Sequence, residues 1–114
     1  MYEAVREAQQ AAIDTVRAGI TAGEVDSAAR SVLRRAKLDK HFTHSTGHGV
    51  GLEIHEPPRI GSNQTEPLRA GMVITIEPGV YVAGEGGVRI EDMVIVTEQG
   101  CEVLWPATKD LITL

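Results

Sequence analysis

The sequence predicts an α+β fold in which two helices pack on an antiparallel sheet. Three features carry that expectation. The first 38 residues hold two alanine-rich apolar stripes at helical spacing, and residues 72–96 hold two β-rich runs around a glycine cluster. Between them lies a stretch rich in histidine and glycine. Helices first and strands afterwards is an α+β order rather than the alternation of a parallel α/β sheet. At 114 residues the chain is one domain or a piece of one, long enough for a modest core.

The elements follow in chain order. Val5, Ala8, Ala12, Ile13 and Val16 recur at spacings of three and four, so they share one helix face. Gly19 suits the stop of that helix. Thr21-Ala-Gly-Glu24 has the spacing of a capping box, in which each end of the motif bonds the other's backbone amide. A second helix is expected from there, with Val25, Ala28, Ala29, Val32, Leu33 and Ala36 as its buried stripe. Residues 41–71 contain all four histidines and five glycines, and read as a functional loop. Met72–Glu77 is β-rich, and Val80–Val82 continues it past Pro78-Gly79. After the cluster Gly84-Glu-Gly-Gly87 comes the second β-rich run, Val88–Val96, and Cys101–Trp105 is a short third strand.

Glu77 and Glu91 lie within these runs, and residue 84, in the glycine turn, is equidistant from both. A hairpin centred there makes them direct cross-strand partners, with Cβ atoms about 5 Å apart. Like charges so placed repel. Either a divalent cation compensates them, since carboxylates are hard ligands, or the register is shifted and one of them faces water. Arg89, two residues before Glu91, shares its face, whereas Asp92 points to the other face, toward a turn or a helix. His44, His48 and His55 are spaced by four and seven residues. Glycines at 47, 49 and 51 argue against a helical zinc-protease motif and allow the backbone around His48 to approach a ligand. A neutral imidazole is the commonest nitrogen ligand of transition metals, but a lone histidine is more often a hydrogen-bonded structural residue. His41, at the end of the helical region, reads as structural or solvent-exposed.

Composition excludes several classes. Eleven basic and sixteen acidic residues give a net charge of −5, a poor basis for binding nucleic acid or an anionic membrane. No apolar run is long enough to span a bilayer, and the N-terminal residues lack the apolar core of a secretory signal. A single cysteine, Cys101, leaves no internal disulfide, so a cytoplasmic location is expected.

Gly47-His-Gly-Val-Gly-Leu-Glu-Ile-His-Glu56, Ile76-Glu-Pro-Gly-Val-Tyr81 and Arg89-Ile-Glu-Asp92 together resemble the pita-bread metallopeptidases, within them the Xaa-Pro aminopeptidase and Xaa-Pro dipeptidase (prolidase) group. The resemblance covers essentially the whole chain. It implies the C-terminal half of a pita-bread fold, two helices on a curved antiparallel sheet, with residues 1–114 a partial catalytic domain: helices within 2–38, histidine loop and strands within 41–105. It implies that His48 and Glu77 ligate one metal ion and that Glu91 bridges two. His55 would contact substrate and assist proton transfer, His44 would shape the substrate pocket, and Arg89 would support the ligands from behind. Family members use two divalent ions, manganese, cobalt or zinc, to cleave peptides next to proline. The family's two aspartate ligands come from a hairpin preceding the first helix seen here, and Asp14, Asp26, Asp39, Asp92 and Asp110 do not resemble it. At most one weakly held ion is therefore expected in this chain, and little activity from it alone. Expected partners are a proline-containing peptide, and either the missing half or a second copy through an open sheet edge. The alternative is a pita-bread module that binds peptides or proteins without catalysis.

Overall fold

The structure, a computed structural model, describes residues 1–51 and 56–111. Helix α1 spans Tyr2–Thr15 and α2 spans Ala22–Arg35. A single 3-10 turn, Asp39–His41, leads into the strands. These are β1 (Gly47–Gly49), β2 (Glu56–Ile60), β3 (Val73–Ile76), β4 (Gly79–Val82), β5 (Gly86–Arg89), β6 (Asp92–Val96) and β7 (Cys101–Val103). Five form an antiparallel sheet in the order β2-β1-β3-β6-β7, and β4 and β5 form a second pair. This is the expected α+β architecture. Among the described residues no helix is long and apolar enough to cross a membrane.

Both helices use their small residues to come close. Val5, Ala8 and Ala12 of α1 and Ala22, Val25, Ala29 and Leu33 of α2 are fully buried. They share one core with Ile74, Ile76, Val94 and Val96, which alternate along β3 and β6 on the inner face. The capping box forms as expected: the Thr21 hydroxyl accepts from the Glu24 amide at 3.2 Å, and the Glu24 carboxylate accepts from the Thr21 amide at 2.8 Å. Thr21→Ala is expected to cost about 1 kcal/mol, read as a lower urea midpoint at unchanged slope.

Several expectations need correction. Helix α1 ends at Thr15, with Val16 already extended. Gly19 has φ +93° and makes the turn between the helices, a backbone that residues with a Cβ rarely adopt. Helix α2 ends at Arg35, so Ala36 is exposed rather than part of the stripe, and Ala28 is only half-buried. The third strand stops at Val103, leaving Leu104 and Trp105 exposed.

The largest difference is in residues 41–71, which contain β1 and β2 as well as loop. Glycine and proline are poor strand formers, so the sequence hides both strands. Pro57 and Pro58, joined by a cis peptide bond, are tolerated because β2 is an edge strand. The glycines beside His48 allow close strand approach. A Cβ at Gly47 would overlap the Thr75 carbonyl oxygen, and one at Gly49 would overlap that of Pro57.

The hairpin register is the predicted one. Val73 to Ile76 pair with Ile95 to Asp92, and Gly79 to Val82 pair with Arg89 to Gly86. Both ladders are centred on residue 84. Glu77 and Glu91, expected inside the runs, lie in the two-residue gap between the ladders, opposite each other.

Candidate metal centre

His48 sits at the middle of β1 and projects from the outer face of the sheet, since its neighbours Gly47 and Gly49 are buried. Its amide donates to Thr75 Oγ1 at 3.1 Å. Its Nδ1 lies 2.8 Å from the Gly49 carbonyl oxygen. A carbonyl only accepts, so Nδ1 carries the hydrogen and the lone pair of the neutral ring is on Nε2. Nε2 stands 3.4 Å from Glu77 Oε2, with both side chains mostly buried, at 19% and 15% exposure. A lone pair facing a carboxylate is unfavourable unless a cation lies between them, either a proton on Nε2 or a metal ion. An imidazole whose Nδ1–H is held by a carbonyl is also the usual orientation of a metal-bound histidine.

Glu77 is held by its backbone, whose amide donates to the Thr46 carbonyl at 2.6 Å. Glu91 faces it across the gap. The Glu91 carboxyl is pushed above the ordinary carboxylate range, first by loss of hydration and then by the Glu77 charge and hydrogen bond, against the opposing pull of Arg89 and His48. One open cleft of about 410 Å³ is lined by His48, Glu77, Arg89 and Glu91, with Val50, Thr75 and Met93 as its other walls. Four of the six residues singled out in the sequence therefore meet in one place. Their donor set, one imidazole nitrogen and two carboxylates, fits a divalent transition ion in kind. Among the described residues no three such side chains are already drawn together closely enough to hold one.

A raised carboxyl pKa has a definite sign for stability. The folded chain holds the Glu91 proton more tightly than the unfolded chain. Stability is greatest below the ordinary carboxylate pKa and is lost as pH rises through the raised value. In chelator at neutral pH, Glu91→Gln is expected to stabilise the chain by about 0.5 kcal/mol, from relief of the like-charge pair. Paired melts at pH 7 and pH 4 should show the gain shrinking on the acid side. Destabilisation at pH 7 would mean that the two carboxylates are not opposed.

His44 lies apart from this cleft. Its Nδ1 donates to the Ser45 carbonyl at 2.8 Å, so Nε2 accepts from the Tyr81 hydroxyl at 2.9 Å. The ring rests edge-on against Phe42, with centroids 5.1 Å apart. It borders a separate polar hollow of about 310 Å³. His55 lies outside the described residues. His41 is half-buried in the 3-10 turn. Asp92 points inward, as its position predicts, accepting from Gln9 of α1 at 2.7 Å and pairing with Lys109 at 2.6 Å.

Sequence reasoning missed three contributors. Thr75 and Thr46 tie β1 to the Glu77 segment, and Arg59 is the cross-strand partner of His48. Arg59 adds a cation to a third hollow, of about 640 Å³, which also has His48 in its wall. Only the cross-strand pairing of β1, invisible among its glycines, would have exposed them.

Residues 1–98 match the model of metallopeptidase family M24. The chain is similar to a Xaa-Pro dipeptidase of Pyrococcus horikoshii, 48% identical over 98% of this chain and 32% of the relative. Among solved structures it is similar to a Xaa-Pro dipeptidase from Bacillus anthracis, with TM-score 0.97 and 45% identity over 99% of this chain and 32% of that one. It is also similar to dipeptidase PepE from Mycobacterium ulcerans, with TM-score 0.94 and 50% identity over 97% of this chain and 30% of that one. The chain thus spans about a third of the length of the relatives it matches.

Proposed function

The chain belongs to metallopeptidase family M24, and we propose that it contributes part of the catalytic domain of a peptidase that cleaves next to proline, with His48, Glu77 and Glu91 as metal ligands. The observation that carries this reading is the opposition of Glu77 and Glu91 at the centre of the hairpin, beside the Nε2 of His48. Relatives named Xaa-Pro dipeptidase support proline-containing peptides as the substrate class.

The roles divide by chemistry. His48 and Glu77 would hold one ion and Glu91 would serve a second as well, with manganese, cobalt or zinc suited to such donors. Divalent ions in a two-metal site supply Lewis acidity and lower the pKa of water. Arg89 lies beside Glu91 and tempers its charge. His55 serves proton transfer at the substrate, and His44, oriented by Ser45 and Tyr81, shapes the substrate side of the site.

Calorimetric titration with Mn²⁺ and Zn²⁺ tests the ligand assignment. Loss of a direct ligand should cost at least as much as loss of a supporting partner, so His48→Ala, Glu77→Gln and Glu91→Gln are each expected to weaken binding by about tenfold or more. His55→Ala is expected to leave it nearly unchanged. Equal loss from His55→Ala would show that the wrong histidine is assigned.

A further inference from the structure

Asp26 is a charged residue on α2 that is 1% exposed, outside the metal cleft and used by none of the roles above. Its carboxylate collects donors from three segments. Oδ2 accepts from Arg30 Nε at 2.6 Å and from the Ser62 hydroxyl at 3.2 Å, while Oδ1 accepts from the Thr46 hydroxyl at 2.8 Å. A buried carboxylate persists only when its oxygens are so satisfied. The Arg30 pair is local, one helical turn along α2. The Thr46 bond is not: it crosses to the residue just before β1.

Thr46 is fully buried and fastened on three sides. Its amide donates to the Ile60 carbonyl at 2.7 Å, its hydroxyl donates to Asp26, and its carbonyl accepts from the Glu77 amide at 2.6 Å. That last bond matters because Glu77 lies in the gap between the two hairpin ladders, where neither register holds it. Two residues after Thr46, the His48 amide donates to Thr75 Oγ1. Two cross-ties thus join residues 46–48 to residues 75–77, and between them stand the His48 and Glu77 side chains, 3.4 Å apart.

We infer that Asp26 is a positioning residue for the Glu77 carboxylate, acting through the Thr46 hydroxyl and carbonyl. The inference rests on the metal-centre reading above. Its geometry is that of an outer partner orienting a ligand, except that it acts on the ligand's backbone from the core side of the sheet. A merely structural Asp26 would stabilise α2 and the turn at Ser62 without a directed effect at Glu77.

Thr46→Val separates the two, because it removes the hydroxyl at nearly constant volume, and Thr46→Ser restores the hydroxyl. Amide exchange is followed in chelator, and Mn²⁺ affinity by calorimetry. In Thr46→Val the Glu77 amide is expected to exchange about tenfold faster, the effect of losing roughly one net hydrogen bond, while Ile74 and Val94 keep their wild-type rates. Mn²⁺ affinity is expected to fall about tenfold, as when an outer partner is lost. Thr46→Ser should return both readings to wild type, and Thr46→Ala should reproduce the Glu77-specific change. Equal acceleration at Glu77, Ile74 and Val94, an unchanged Glu77 rate, or failure of Thr46→Ser to restore it would overturn the inference. If His48→Ala and Glu77→Gln leave Mn²⁺ affinity unchanged, the metal-centre reading fails, and the contrast between Glu77 and Ile74 still decides the role of Asp26.

Discussion

Residues 1–114 as an isolated polypeptide are expected to hydrolyse neither an Xaa-Pro dipeptide nor a proline-containing tripeptide above background, with or without Mn²⁺. The reason is the donor count in the cleft. On the proposed assignment His48, Glu77 and Glu91 would serve one ion, and only Glu91 would be left for a second. None of the chain's aspartates lines the cleft to replace the two aspartate ligands that the resemblance implies. Asp26 is committed to Arg30, Thr46 and Ser62, and Asp92 to Gln9 and Lys109, both on the core side. Asp14 accepts from Gln10 on the surface of α1, Asp39 faces Arg34, and Asp110 pairs with Arg6. Two-metal charge stabilisation is worth several kcal/mol, so its loss removes about three decades of rate or more. Adding a polypeptide that carries the aspartate hairpin should restore chelator-sensitive release of proline. Robust hydrolysis by the 114-residue polypeptide alone would show that three donors suffice.

The parts of the site that could be read in the sequence were those set by a period. The pairing of Glu77 with Glu91 followed from a period of two and a glycine turn, and the observed ladders are centred on residue 84 as that argument requires. The inward aim of Asp92 followed from the same alternation. The capping box followed from a spacing of three. What stayed hidden depends on contacts between segments distant in sequence. Asp26 looks like one more polar residue on α2 until Thr46 and Ser62 arrive beside it. Gln9, fully buried against Asp92, is not one of the apolar residues of the α1 stripe, so the apolar pattern gives no sign of its burial. The strand β1 has no apolar alternation at all, so no pattern could announce it, and the close strand approach that its glycines permit is equally hidden.

The close approach at Gly47 leads to the second large effect. Gly47→Ala is expected to destabilise the chain by about 3 kcal/mol, at the upper end of overpacking costs. The added methyl has nowhere to go: it points at the Thr75 carbonyl, a backbone atom that cannot swing aside as a side-chain tip can. Relief requires β1 to move away from β3, and that motion breaks the Thr46–Glu77 and His48–Thr75 cross-ties together. Stability and metal affinity should therefore fall in the same variant, although residue 47 offers no donor atom to an ion. Gly84→Ala is the control. Gly84 has φ +82° and nothing near its missing Cβ, so its substitution strains the hairpin turn. It should cost about 1 kcal/mol without a specific loss of Mn²⁺ binding. Urea melts in chelator and calorimetry with Mn²⁺ on both variants make the comparison. If Gly47→Ala keeps wild-type stability, the close approach of β1 to β3 is not what the glycine provides, and the ligand-approach reading returns.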